Sequence, residues 1–270
     1  MRIRIVDAFT DQPFSGNPAG VVVLDSSLFP SFPDDAWMLQ VAAEVNHSET
    51  AFVHPHSDTA DFALRWFTPA VEVALCGHAT LATAHVLGRE KVSFQTLSGV
   101  LTAVSGGDGW HTLDFPTAPL TPVDTPPWVA GVLGADARSV HHTGPNTDDL
   151  LIEVADEATV RGLRPDFTTL ARVEHRGVVV TAAAAAPDAG YDFVSRFFGA
   201  AAGVAEDPVT GSAHTALAPF WSARLGGRTS LVGYQASARG GYVRVTLDGE
   251  RTHLTGRAVT VIDGELYASA

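Results

Sequence analysis

A single cysteine, Cys76, stands among 270 residues. No intramolecular disulfide can form, which excludes a disulfide-stapled scaffold and makes an intracellular compartment the expectation. Positive charge is scarce too: 17 Lys and Arg face 30 Asp and Glu, for a net charge of −13. That balance argues against nucleic acid or an anionic membrane as partner. A small acid stays open as substrate, because a local site can be positive inside a negative protein. No apolar run approaches the roughly 18 residues of a membrane span, and the opening MRIRIVDAFTDQPF has no long apolar stretch of the signal-peptide kind. A cytoplasmic protein is therefore expected. A phosphate-binding glycine loop is missing as well: Gly106-Gly107-Asp108-Gly109 reads as a hairpin turn, with no strand-to-helix context after it. Eleven histidines are present, yet His141-His142 and the pair His54/His56 lack supporting ligand spacing, so neither a metal nor another cofactor is expected.

What the chain does have is apolar content, 46% against 17% charged, enough to bury a sizeable core. Its organising stretch is AEDPVTGSAHTALAPFW, residues 205–221. Pro208 pushes Asp207 out of helical geometry, and Gly211-Ser212 reads as the start of a helix with Ala213, Leu217 and Phe220 on its core face. A helix start presents unpaired backbone N–H groups and the positive end of the dipole, a candidate seat for a carboxylate. The pattern occurs twice. Gly77-His78-Ala79-Thr80-Leu81-Ala82 lies over Gly211-Ser212-Ala213-His214-Thr215-Ala216, 134 residues further on. Arg65-Trp66-Phe67 precedes the first copy as Arg196-Phe197-Phe198 precedes the second, and strands containing Gln95 and Gln235 follow them. This is read as an internal duplication. It divides the chain into halves 1–118 and 119–270, with a cleft between them toward which both helix N-termini point and the C-terminal strand a candidate to pack on the first half.

In chain order, a strand over residues 2–8 is followed by an overlong Gly-, Asn- and Pro-rich loop, 10–20, and a second strand, 21–24. Asn17 and Gly20 in that loop are candidates to face the cleft. Asp34 or Asp35 caps a helix running to about Asn46, and Glu49 sits at the junction between that helix and an apolar strand, 51–53. It is either an ordinary loop carboxylate or a partly buried one with a pKa raised toward neutrality, able to take and return a proton. Short strands follow over 61–67, 92–96, 100–104 and 110–115, then a Pro- and Thr-rich linker, 116–127, and a short helix, 128–133. The second half repeats the plan with strands near 139–142, 150–154, 177–182 and 191–197, a helix around 167–172, and strands over 230–235, 242–247 and 252–263. Most connections are too short for crossovers, which argues for antiparallel pairing. Short antiparallel strands around one apolar helix, twice, is the expected α+β architecture. His214, one step inside the second helix, either faces the cleft or packs.

VDAFTDQPFSGNPAGVVVL, NHSETAFV, RWFTPAVEVALCGHATLATA and GVAEDPVTGSAHTALAPFW resemble, across nearly the whole chain, the PhzF-like family of phenazine-biosynthesis isomerases. The resemblance implies the diaminopimelate-epimerase-like fold: two pseudo-symmetric antiparallel β-barrel-like domains, each around a central helix. It also implies a homodimer. By motif, Glu49 matches the family's catalytic acid/base, while His78, Asp207 and Ser212 match residues that line the site and bind or polarise substrate. Moving a proton between carbons beside an unsaturated acid needs one group to abstract it and a seat for the enolate-like charge that develops. Glu49 suits the first task; His78, Ser212 and the N–H groups behind Gly77 and Gly211 suit the second. Asp207 either holds His78 in one tautomer or acts as a second proton carrier. The function expected is a cofactor-independent proton shift on a small carboxylic acid. An amino-acid racemase or epimerase and a non-catalytic binding protein are the alternatives. Related racemases use two thiols, one from each half, and one cysteine excludes that mechanism here. Cys76 is a packing thiol or a nucleophile without its partner.

Overall fold

The computed structural model describes residues 1–55 and 57–267 and divides into two compact units. The first comprises Met1–Asp114 together with the chain from Thr255 onward, and the second is Phe115–Leu254.

The first unit contains β1 (Arg2–Ala8), β2 (Asn17–Val23), α1 (Asp35–Val45), β3 (Glu49–His54), β4 (Phe62–Phe67), β5 (Glu72–Val73), α2 (Gly77–Leu87), β6 (Lys91–Thr96), β7 (Gly99–Gly107) and β8 (Trp110–Pro116), whose last two residues belong to the second. The second contains β9 (Thr121–Pro122), α3 (Val129–Leu133), β10 (Ser139–His142), β11 (Asp149–Glu153), α4 (Glu157–Gly162), α5 (Phe167–Leu170), β12 (Gly177–Ala183), β13 (Phe193–Gly199), β14 (Val204–Asp207), α6 (Gly211–Arg224), β15 (Ser230–Gln235) and β16 (Gly241–Asp248). The last strand, β17 (Arg251–Glu265), starts in the second unit and ends in the first. In the first unit β1, β2, β3, β4, β6, β7, β8 and β17 follow one another around a closed barrel. The two units share one order of elements, with β1–β8 answered by β10–β17 and α2 by α6. This is the diaminopimelate-epimerase-like α+β fold.

Pairing is mostly antiparallel, and the expectation of antiparallel pairing throughout needs one correction. β2–β3 and β4–β6 in the first unit, and β11–β12 and β13–β15 in the second, are parallel. Each of these four connections carries a helix: α1, α2, the α4–α5 pair and α6 respectively. A helix supplies the length that a parallel crossover requires.

The two central helices are buried on nearly all sides. In α2 every residue from Gly77 to Ala84 is buried, and the helix packs against β1, β2, β3 and β7. Small side chains let it fit inside a strand barrel. The hydroxyls of Thr80 and Thr83 donate back to the carbonyls of Cys76 and Ala79, which satisfies them without water. In α6 the expected core residues Ala213, Leu217 and Phe220 are buried, but so are His214, Ala216, Ala218 and Trp221. Pro219 lies inside this helix and cannot donate to the carbonyl of Thr215, four residues earlier. The N–H of Ala118 takes that carbonyl instead, at 3.2 Å. Among the described residues no helix is long and apolar enough to cross a membrane.

Candidate active site

Asn46 ends α1 in the left-handed conformation, φ 53°, and turns the chain so that Glu49 opens β3 next to Ala19 on β2. Glu49, expected at the helix-to-strand junction, is the first residue of the strand and is partly buried. His78 is the second residue of α2, and its Nε2 lies 3.4 Å from Glu49 Oε2. The two side chains are 5% and 17% exposed, so the pair is largely enclosed with the carboxylate the more open member. Cys76 precedes the helix as its N-cap and is buried, with Sγ 3.5 Å from His78 Nδ1. The structure therefore brings Glu49, His78, Cys76 and Gly77 together at one helix start.

Of the other residues expected in this half, Asn17 opens β2, is fully buried, and lies 3.5 Å from the Ser48 hydroxyl. Gly20 sits beside Thr50 in the β2–β3 register. A Cβ there would come within 2.9 Å of Thr50 Oγ1 and 3.2 Å of Val45, so packing accounts for the missing side chain.

In the second unit Asp207 ends β14, and Gly211 and Ser212 open α6. Thr210 donates its hydroxyl to the Asp207 carboxylate. Gln235, wholly buried, ties the segment down: its Nε2 donates to Asp207 O at 2.7 Å, and its Oε1 accepts from Thr210 N at 2.9 Å. Ser212 Oγ accepts from Arg176 Nη2 at 3.0 Å. Arg176 is held in turn by a bidentate pair with Asp149, at 3.0 and 2.6 Å. Asp149 has no exposure, and burial raises its pKa while the guanidinium opposes the rise. Sequence reasoning missed both residues. The repeat was the signal that points to them, because Asp149 and Gly177 pair across β11–β12 as Ala19 and Glu49 pair across β2–β3. The second copy of the Glu49 position is therefore a glycine. A Cβ on Gly177 would stand 2.3 Å from the Phe197 ring. A carboxylate at this position is present only in the first copy.

Helix caps divide the helices into two groups, with α3, whose N-cap Trp128 makes no side-chain bond, on the side of the two central helices. Asp34, Asp156 and Asp166 cap α1, α4 and α5 through their carboxylates. Cys76 and Thr210, at the heads of α2 and α6, make no side-chain cap bond.

The remaining histidines separate by environment. His54 is buried and bonded through Nε2 to Phe29 O at 2.9 Å, whereas His56 lies outside the described residues. His214 packs: it is fully buried, bonds through Nδ1 to Thr210 O at 2.8 Å, and lies against the Phe193 ring. Among the described residues, two groups of side chains place potential metal-ligand atoms within 4.8 Å of one another, Glu49 with Cys76 and His78, and His142 with Asp148 and His175. The second group joins residues from three separate segments, which local spacing around His141-His142 does not reveal.

Comparison with known proteins places these features. The family model described as phenazine biosynthesis-like protein, PhzC-PhzF, matches residues 6–264. A protein of Halalkalibacterium halodurans named an uncharacterized isomerase is 45% identical over 272 residues, covering 98% of this chain and 97% of its own. A Pseudomonas aeruginosa protein of the same description is 46% identical over 268 residues, covering 97% of each. The crystal structure of a phenazine biosynthesis protein of the PhzF family from Enterococcus faecalis superposes with a TM-score of 0.88 at 38% identity, covering 99% of both chains.

Proposed function

The chain belongs to the phenazine biosynthesis-like, PhzC-PhzF, family, and from that premise we propose that it is an isomerase that moves a proton, and with it a double bond, on a small carboxylic acid. The observation that carries the reading is the Glu49–His78 pair at the start of α2, Oε2 to Nε2 3.4 Å, where no side chain caps the helix. Glu49 acts first as base and then as acid, since a shift returns the proton it removes. His78 and the first-turn N–H groups behind Gly77 hold the enolate-like charge that builds up between the two steps. Acid/base transfer of this kind uses side chains alone and calls for no cofactor.

Asp207, Ser212 and Gly211 are the other residues of the proposal. Ser212 Oγ already accepts from Arg176, so its own proton is available to a substrate oxygen. Asp207 is the second proton carrier. One cysteine supports a carboxylate-based shift over a racemase built on paired thiols.

The test is solvent exchange. Purified protein is incubated in heavy water with a panel of small unsaturated acids and amino acids, and deuterium uptake is read by mass spectrometry beside Glu49→Gln. The variant is expected to lose roughly 10²–10⁴-fold in exchange rate. Equal exchange in both proteins would remove Glu49 from the mechanism, and inversion at an α-carbon would identify a racemase instead.

A further inference from the structure

His142, Asp148 and His175 have no part in the proton shift proposed above. His142 ends β10, Asp148 comes immediately before β11, and His175 stands two residues before β12. These strands are sheet neighbours, β10 with β11 antiparallel and β11 with β12 parallel. Their donor atoms converge on one oxygen: His142 Nε2 is 2.9 Å and His175 Nδ1 3.1 Å from Asp148 Oδ1. The two rings stand 5.2 Å apart, tilted by 47°.

The backbone holds this grouping in place. Asp148 has φ 48°, its N–H donates to Gly144 O at 2.8 Å, and its carbonyl accepts from Arg176 N at 2.8 Å. The guanidinium of Arg176 is committed to Asp149. Arg172 and Glu174 line the same shallow depression with opposite charges. Both imidazoles favour the ionised carboxylate of Asp148 and hold its pKa below the usual range. The three side chains are 28%, 45% and 30% exposed, which leaves one side of the group open to water.

Two imidazole nitrogens and a carboxylate oxygen are the donor set of zinc and its first-row neighbours, with an open position for water. At metal–ligand distances of about 2.0–2.1 Å, tetrahedral ligand atoms stand roughly 3.3 Å apart. The two separations from Asp148 Oδ1, 2.9 and 3.1 Å, need to open only slightly, and the ligand atoms all lie within 4.8 Å of one another. We propose that His142, Asp148 and His175 form a divalent-cation site, preferring zinc, that clamps the ends of β10, β11 and β12. The ion binds through Nε2 of His142 and Nδ1 of His175, and water fills the open side.

The test is zinc binding by the full chain, followed by equilibrium dialysis and metal analysis, in wild type, His142→Gln, Asp148→Asn and His78→Gln. Asparagine tolerates the left-handed backbone at 148, so that variant keeps the turn. Wild type and His78→Gln are expected to take up one zinc per chain, with affinity at least about tenfold weaker in the other two. X-ray absorption on zinc-loaded wild type is expected to show two imidazoles with oxygen and no sulfur. This readout holds even if a variant fails to fold. The proposal is overturned by no uptake in a large excess of zinc, by unchanged affinity in His142→Gln and Asp148→Asn, or by a sulfur shell that places the ion at Cys76.

Discussion

His214 is enclosed on every side, and burial pushes its pKa from 6.5 to about 4. The folded protein therefore holds it neutral, while the unfolded chain protonates it below about 6.5. Between those two values the unfolded state binds more protons, so stability is complete above pH 6.5 and falls as pH drops toward 4. At about 1.4 kcal/mol per pH unit the whole window is worth about 3 kcal/mol, and His111, pushed to about 4 by the same cause, acts in the same direction. His214→Asn keeps a donor near the Nδ1 position and removes the titration. Urea unfolding between pH 7 and pH 4.5 is expected to show a shallower loss of stability in this variant than in wild type, from a lower starting value. Whether His214 packs or faces a ligand was not legible in the sequence. Helical spacing places a residue on a face, but α6 is buried all round over most of its length and has no solvent face to tell apart.

At the scale of elements, the repeat shows in a pair of struts. Arg65 on β4 grips Glu72 on β5 with two hydrogen bonds of 2.7 and 2.6 Å, and Arg196 on β13 grips Glu206 on β14 with two of 2.7 and 2.8 Å. Each guanidinium lies over the phenylalanine two residues on, Phe67 or Phe198. Each strut fixes the short strand that leads into a central helix, and so aims that helix's N-terminus. The second is the more deeply enclosed, and Arg196 also donates to Leu163 O at 2.9 Å. Arg196→Met strands Glu206 and that carbonyl and is expected to cost about 3 kcal/mol. Arg65→Met, with its group 21% exposed, is expected to cost clearly less. Denaturant midpoints of the two variants check the order. The matching RWF and RFF triplets were visible in the sequence, but their glutamate partners were not, because β5 and β14 are too short to show a period. The helix α4 escaped for the same reason, although Asp156 before it is an ordinary capping signal, accepting from Thr159 N at 2.8 Å.

At the scale of the whole chain, the last strand returns to the first. β17 pairs antiparallel with β1, from Arg2 opposite Glu265 to Ala8 opposite Ala258, and Asp263 bridges Arg2 and Arg4. A chain ending at Leu254 leaves β1 with an open edge and the first unit with a broken barrel. Such a chain is expected to lose its near-ultraviolet circular dichroism and to aggregate, whereas a chain ending at Tyr267, which keeps the backbone bonds between Leu266 and Met1, is expected to keep wild-type unfolding. The duplication, the two central helices, the helix capped by Asp34 and most strands were determined by the sequence alone, because they are written in local repeats, caps and apolar runs. The tertiary structure alone decided which strands pair in parallel, that Glu49 meets His78, that Asp149 and Arg176 support Ser212, and that His142, Asp148 and His175 converge. These are contacts between segments far apart in the chain, set by strand register and helix crossovers, and no local spacing encodes them.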